Sequence, residues 1–431
     1  MTFDLAVEGL LAKTPQQWPV KPFRRFAHLV GETNAGRRHQ LLSLASTGVV
    51  APRSEEGGLG RQAPAEQTIE RYWLVKPGDL IVNPMWLVGG GIGVSGIEGA
   101  VSPDYRVYEL SREVYPKYLH YLLRSDPYRD QYRLYTRADT TFDRRVSKEN
   151  FHSMPIVVPP MEEQRRIANF LDAETSRLDA LVDKVQAQMH LFEERELAQI
   201  HAALRGSMVA GARKDSGMEW LGDVPSSWPV ASVSSQFQVQ LGKMLNQERS
   251  EGAHLRPYLR VLNVQWDFID TADLVEMDFP PTERVRYEVL PGDLLICEGG
   301  SYPGRAAVWD GRISEIYFQK ALHRARSRGR SSVRWLLYCL RLALAMGVFH
   351  AEGNSTTITH LTGEQLAARR FPFPESDVQQ RIVADLDAER ERMQSMYRAR
   401  ERQVELLEER RRALITAAVT GQLDVTTARV D

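Results

Sequence analysis

The chain has 431 residues, with 55 Lys and Arg against 56 Asp and Glu and a 43% hydrophobic content, a globular balance without a general disorder signal. At roughly 100–200 residues per domain this length implies two to four domains. The net charge of −1 argues against a simple basic nucleic-acid coat, although local charge decides such binding more than the sum does.

In chain order, the first segment opens without a basic stretch leading into an apolar core, so no signal peptide is expected. Lys76-Pro77-Gly78-Asp79 then turns the chain into an apolar strand at Leu80-Ile81-Val82. A glycine-rich turn over residues 89–96 follows, and Pro116–Arg124 is expected to be helical. After the prolines at 159–160, acids occupy a first helical turn and apolar residues recur at spacings of three and four up to Gly206. The second half repeats the series: strands at residues 258–264 and at Leu294–Cys297, a glycine-rich turn at 299–304, a helix at Val333–Ala345 and a long helix ending at Gly421. Residues 335–349 are too short an apolar run to span a bilayer. The two cysteines, Cys297 and Cys339, lie in apolar surroundings and are expected to pack rather than to react.

The repetition is quantitative. Residues 159–206 align without a gap on 374–421, at an offset of 215, with 19 identities in 48 positions; chance would give roughly 3. Gln164 matches Gln379, and Asp172-Ala173-Glu174 matches Asp387-Ala388-Glu389. Lys76-Pro77-Gly78-Asp79 matches Leu290-Pro291-Gly292-Asp293, and Trp18-Pro19 matches Trp228-Pro229. The expected organisation is therefore α+β: a globular domain at 1–158, a helical arm and linker at 159–217, a second domain at 218–373, and a second arm with its tail at 374–431. Each arm, at 1.5 Å per residue, is a rod of roughly 65 Å. Its narrow apolar stripe needs a partner, so the arms are expected to pair as an antiparallel coiled coil with pseudo-two-fold symmetry. The pairing positions are Ile167, Leu171, Leu178, Leu181, Val185 and Phe192 on one arm, with Ile382, Leu386, Met393, Met396 and Leu407 on the other.

Catalytic signatures are missing from the sequence: there is no GxxxxGK[ST], HExxH or GxSxG, and no metal-spaced His/Cys cluster. Asn83-Pro84-Met85-Trp86 resembles the loop with which amino-methyltransferases hold a flipped adenine. It lacks the second proline, however, and no strand–GxG–helix cofactor site precedes it. Segment charges are +3 for 1–158, 0 for 218–373 and −2 for each arm segment. Basic clusters lie at Arg37-Arg38, at 133–148 and at His323-Arg324-Ala325-Arg326-Ser327-Arg328-Gly329-Arg330. Singly, each is as well explained by a solvated face; together with neighbouring polar and aromatic residues they suit phosphate contacts and base-edge reading.

A recognition domain followed by a long arm, written twice, resembles the DNA-specificity subunit of type I restriction–modification systems. The residues that carry the resemblance are Asp215-Ser216-Gly217-Met218-Glu219-Trp220-Leu221-Gly222 leading into Val224-Pro225-Ser226-Ser227-Trp228-Pro229, then Tyr258-Leu259-Arg260-Val261-Leu262-Asn263-Val264, Asn354-Ser355-Thr356-Thr357, and the arm openings Glu163-Gln164-Arg165-Arg166-Ile167 and Gln379-Gln380-Arg381-Ile382. The first copy departs at its entrance, Thr14-Pro15-Gln16-Gln17-Trp18, and has no close counterpart of the Tyr258 strand.

The resemblance implies a non-catalytic subunit in which each domain reads one half of a bipartite, asymmetric double-stranded DNA target, while the arms fix the gap. It implies two methyltransferase subunits and two restriction/translocase subunits as partners, with S-adenosylmethionine, ATP and Mg on those partners and no cofactor or metal in this chain. It also implies a cytoplasmic protein, nucleoid-associated when DNA-bound, in phage defence. Under this reading Arg37, Arg38 and Lys243 are phosphate contacts, and Arg260, Asn263, Ser301, Tyr302 and Arg305 are major-groove or phosphate contacts, with turn and packing roles as the alternative. Asn354, Ser355, Thr356 and Thr357, and their counterparts Thr140 and Thr141 beside Arg137, Arg144 and Arg145, form polar loops near the DNA backbone. Trp86 stacks or packs, with packing favoured. The competing readings are a self-sufficient adenine DNA methyltransferase and a coiled-coil interaction protein without a DNA role.

Overall fold

The computed structural model describes residues 7–36, 39–53, 66–136, 145–244, 252–299, 303–349 and 360–425. They form two compact units, one comprising 1–186 with 401–431 and the other 187–400. Each unit therefore contains one globular domain, the first part of its own arm and the last part of the other arm. The sequence segments and the compact units differ because each arm helix, Met161–Leu204 and Ser376–Val419, is continuous across a unit boundary.

In the first unit an antiparallel sheet has the order Ala27–Leu29, Arg106–Leu110, Leu80–Val82, Ile92–Val94. The second unit repeats it as Phe237–Leu241, Leu322–Ser327, Leu294–Cys297, Ala306–Val308. Of the central strands, Leu80–Val82 and Leu294–Cys297 are apolar at every position because both faces are covered. Leu80 and Val82 enter the main core while Ile81 joins a smaller cluster on the other face. Leu294 and Ile296 are likewise separated from Leu295 and Cys297, as a period of two requires. Both cysteines are buried and free. The turns into these strands place Gly78 at φ +96° and Gly292 at φ +88°, a region that glycine enters without a Cβ penalty.

Pro116–Arg124, Val333–Ala345 and Leu294–Cys297 form as expected. The expected strand at 258–264 is broken. Leu255–Leu259 ends in a 3-10 turn at Val261–Asn263, because Asn263 Oδ1 accepts the Arg260 backbone N–H at 2.8 Å and closes the chain on itself.

The repeated arm residues explain how each arm docks on its own domain. Gln164 Oε1 accepts the Tyr115 N–H at 2.7 Å, and its Nε2 donates to Pro159 O at 2.8 Å. Gln379 does the same with Ser332 N–H at 2.9 Å and Pro374 O at 2.7 Å. Asp172 accepts from the Tyr121 hydroxyl at 2.7 Å and pairs with Lys117 at 2.5 Å, while Asp387 accepts from the Tyr338 hydroxyl at 2.5 Å and pairs with Arg334 at 2.5 Å. The ion pair to Asp172 raises the Lys117 pKa. Gln379→Leu is expected to lower the stability of the second unit by about 2 kcal/mol, since it strands a backbone donor and acceptor; urea denaturation reads the loss.

Within each unit the two arm segments run antiparallel. In the first, Asp179 meets Arg411 at 3.3 Å while Ile167 and Leu171 share a core with Ala418 and Val419. In the second, Arg195 and Gln199 reach Glu389 at 3.4 and 3.2 Å, and Ile200 and Leu204 pack with Val383 and Leu386. Ile167, Leu171, Leu178, Val185, Leu386 and Met393 are buried, and Phe192, Ile382 and Leu407 half-buried. Leu181 and Met396 are exposed instead. The buried seam steps from Leu178 to Val182 and Val185, and from Met393 to Tyr397, so each of the two lies one residue off it. Gly206 (φ +62°) and Gly421 (φ +72°) end the arms, and a Cβ there would lie 2.8 Å from Trp228 and Trp18, respectively.

Candidate nucleic-acid interface

In each domain one backbone hydrogen bond joins the loop after the central strand to the loop before the last short helix. In the first domain the Val146 N–H donates to Pro84 O at 3.0 Å, and in the second the Leu361 N–H donates to Glu298 O at 2.6 Å. The residue after each donor caps the helix: Ser147 Oγ accepts from Asn150 N–H at 3.0 Å and Thr362 Oγ1 from Gln365 N–H at 3.2 Å. These bonds bring together the flanks of segments that hold most of the expected contact residues.

In the first domain the loop is a tight turn. The Met85 N–H donates to Asn83 Oδ1 at 3.1 Å, Trp86 N–H to Asn83 O at 3.0 Å, and Gly91 N–H to Trp86 O at 2.8 Å. Asn83 thus serves its own backbone. Met85 and Trp86 project outward at 47% and 56% exposure, and Arg145 Nη2 lies 3.5 Å from Met85 Sδ. Trp86, expected to pack, lies over Gly89 with much of its ring open; a Cβ at Gly89 would fall 2.3 Å from the indole nitrogen. In the second domain the corresponding loop begins with Glu298 and Gly299, and the His360 ring lies against Gly299.

Of the other expected contacts, Lys243 is buried at 2% exposure. Its ammonium pairs with Glu283 at 2.6 Å, donates to Asp278 O and lies 4.9 Å from the Phe279 ring, which corrects its assignment to a phosphate. Asn263 is corrected too, because its Nδ2 donates to Asp270 O and Asp273 O, at 3.0 and 3.2 Å, within a buried turn. Arg260 pairs with Asp273 at 2.8 Å, and Arg305 donates to Gln265 Oε1 at 3.1 Å and Val261 O at 3.3 Å. These two arginines brace the same turn. Arg37, Arg38, Arg137, Thr140, Thr141, Arg144, Ser301, Tyr302, Asn354, Ser355, Thr356 and Thr357 lie outside the described residues. No group of His, Cys, Asp and Glu that could hold a metal occurs among the described residues, and no helix there is long and apolar enough to cross a membrane.

No family model matches the chain. Among solved structures it is similar to a chain from a study of complex assembly and conformational transition of the type I R-M system, with a TM-score of 0.66 and 19% identity over 95% of this chain and 99% of that one. An HsdS subunit from Thermoanaerobacter tengcongensis aligns with a TM-score of 0.46 and 19% identity over 95% and 98% of the two chains. A type I restriction–modification S subunit from M. genitalium aligns with a TM-score of 0.36 and 14% identity over 94% and 98%. The first of these shows a fold shared over nearly the whole chain.

Proposed function

We propose that the chain is the DNA-specificity subunit of a type I restriction–modification system. The observation that carries this reading is the duplicated domain-and-arm fold, shared end to end with a chain of such a system. Each domain reads one part of a bipartite, asymmetric target with the loops that converge at Pro84–Val146 and Glu298–Leu361. The groups at these equivalent places differ, exposed Met85, Trp86 and Arg145 against half-buried Glu298 and exposed His360, which supports two unlike half-sites. The arms act as the spacer; half-sites about one helical turn apart, roughly 34–36 Å, would present the same DNA face. Partner methyltransferase and restriction subunits supply S-adenosylmethionine, ATP and Mg chemistry, and the protein works in the cytoplasm.

The test is to sequence modified adenines in a host carrying this chain and a cognate methyltransferase. One interrupted, asymmetric motif is expected, and exchanging residues 1–158 for another family member's domain should change one half of it only. A contiguous palindrome, or methylation by the isolated chain, would overturn the reading.

A further inference from the structure

The repeat makes each unit a control for the other, and at one place they differ in charge. In the second unit Arg341 pairs with Glu196 at 2.6 Å, Glu196 also lies 3.8 Å from Arg390, and Asp267 pairs with Arg334 at 2.9 Å and with Arg390. Each guanidinium there has a carboxylate. The first unit's counterparts follow from the shared anchors on Asp172 and Asp387: Lys117 stands for Arg334, Tyr121 for Tyr338, and hence Arg124 for Arg341. The arm offset of 215 replaces Glu196 by Arg411. The turn that holds Asp267 N–H on Ala306 O has as its counterpart Thr47-Gly48, beside Ile92 O, and carries no acid. The same offset replaces Arg390 by Thr175, so two carboxylates have gone while one cationic side chain is lost and one gained.

These residues open onto a cavity of about 690 Å³ in the first unit, lined by His120, Arg124, Arg129 and Arg411 among others. Among the described residues the Arg124 guanidinium donates only to carbonyls: Gly90 O at 2.6 Å, Ile92 O at 3.1 Å and Ser46 O at 3.0 Å. Arg129 Nε and Arg411 Nε have no hydrogen-bond partner among the described residues. Of the acids around the cavity, Asp179 holds Arg411 at 3.3 Å and Asp126 lies 4.0 Å from Arg412, while Asp183 and Glu408 are exposed. Burial, reinforced by Arg129 and Arg411, lowers the Arg124 pKa to about 10. Burial and Arg124 lower that of His120 to about 4, leaving it neutral. Clustered, partly desolvated guanidiniums repel one another unless an anion joins them, and their forked N–H groups match phosphate oxygens.

We propose that this cavity seats one phosphate group, held by Arg124, Arg129 and Arg411, supplied either as free phosphate or by a DNA backbone. The test uses the full chain, Arg411→Glu (which puts back the acid that Glu196 supplies in the second unit) and Arg129→Gln. Melting is followed in sodium phosphate against sodium chloride of equal ionic strength, and duplex DNA is titrated over a salt series. For free phosphate, the wild-type melting temperature rises in phosphate and both variants lose the rise. For a backbone phosphate there is no such rise, and Arg129→Gln reduces the slope of log K against log salt by about one. The proposal is overturned if both variants keep the wild-type phosphate response and the wild-type slope.

Discussion

Asp293→Asn is expected to destabilise the second unit by about 3 kcal/mol, and so to lower its melting temperature by roughly 6–12 °C. The carboxylate is 2% exposed and accepts from Arg326 Nε and Nη2 at 2.7 and 2.6 Å and from the Leu290 N–H at 2.7 Å. Buried Arg324 lies 4.0 Å away with its pKa already lowered by burial and by Arg326. Neutralising Asp293 leaves two neighbouring guanidiniums without their counter-charge. Chemical denaturation measures the effect, and a loss below about 1 kcal/mol would show that the pair is no more than a surface ion pair.

The counterpart, Asp79, is expected to behave oppositely. Its turn is the same, with the Lys76 N–H donating to Oδ2 at 2.8 Å, but no arginine reaches it among the described interactions. Burial, aided by Glu109, raises its pKa against the opposing backbone hydrogen bond. A carboxyl whose folded pKa exceeds its unfolded value binds its proton more tightly when folded. Stability then falls as pH rises through the window just above the unfolded pKa, and the charged form is a net cost at neutral pH. Asp79→Asn keeps the acceptor and removes that cost, so stability at pH 7 should be unchanged or higher, and its acid-side pH dependence flatter.

This pair shows what the sequence could and could not convey. The repeat exposes the turn, the strand after it and the arm openings, because backbone geometry and short-range periodicity are local. The Gln and Asp of each arm are visible as identities, and the structure supplies their reason, the clamp on the preceding domain. Which arginines are spent internally is not local: Asp293 lies 33 positions from Arg326. The basic run at 323–330 therefore reads as a DNA-facing patch, although its first two arginines serve a buried acid. Lys243 and Asn263 mislead in the same way. Leu181 and Met396 fail for a different reason: a seam alternating threes and fours leaves neighbouring apolar residues indistinguishable until the partner helix is in place.

Those two misassigned residues lead to the other large effect. Leu181 and Met396 occupy equivalent arm positions, as do Leu191 and Leu406, and all four are 40–60% exposed. The antiparallel register set by Asp179–Arg411 and Arg195–Glu389 places Leu181 at about the level of Leu406 in the first unit, and Leu191 at about that of Met396 in the second. Each unit thus presents the same pair of exposed apolar side chains, as two copies of one partner would require. On the proposed function, Leu191→Asp with Met396→Asp is expected to reduce the bound methyltransferase subunits from two to one. A buried charge in such a contact costs about 2 kcal/mol or more per side chain, roughly a 30-fold loss of affinity. The matching Leu181→Asp with Leu406→Asp should remove the other copy, and all four substitutions both. Light scattering of the reconstituted complex gives the stoichiometry, and two subunits retained on the first variant would refute this placement. Because the four side chains are solvent-exposed, each substitution should change the stability of the chain alone by about 0.5 kcal/mol or less. Lost binding with an unchanged melting temperature then reports on the interface and not on folding.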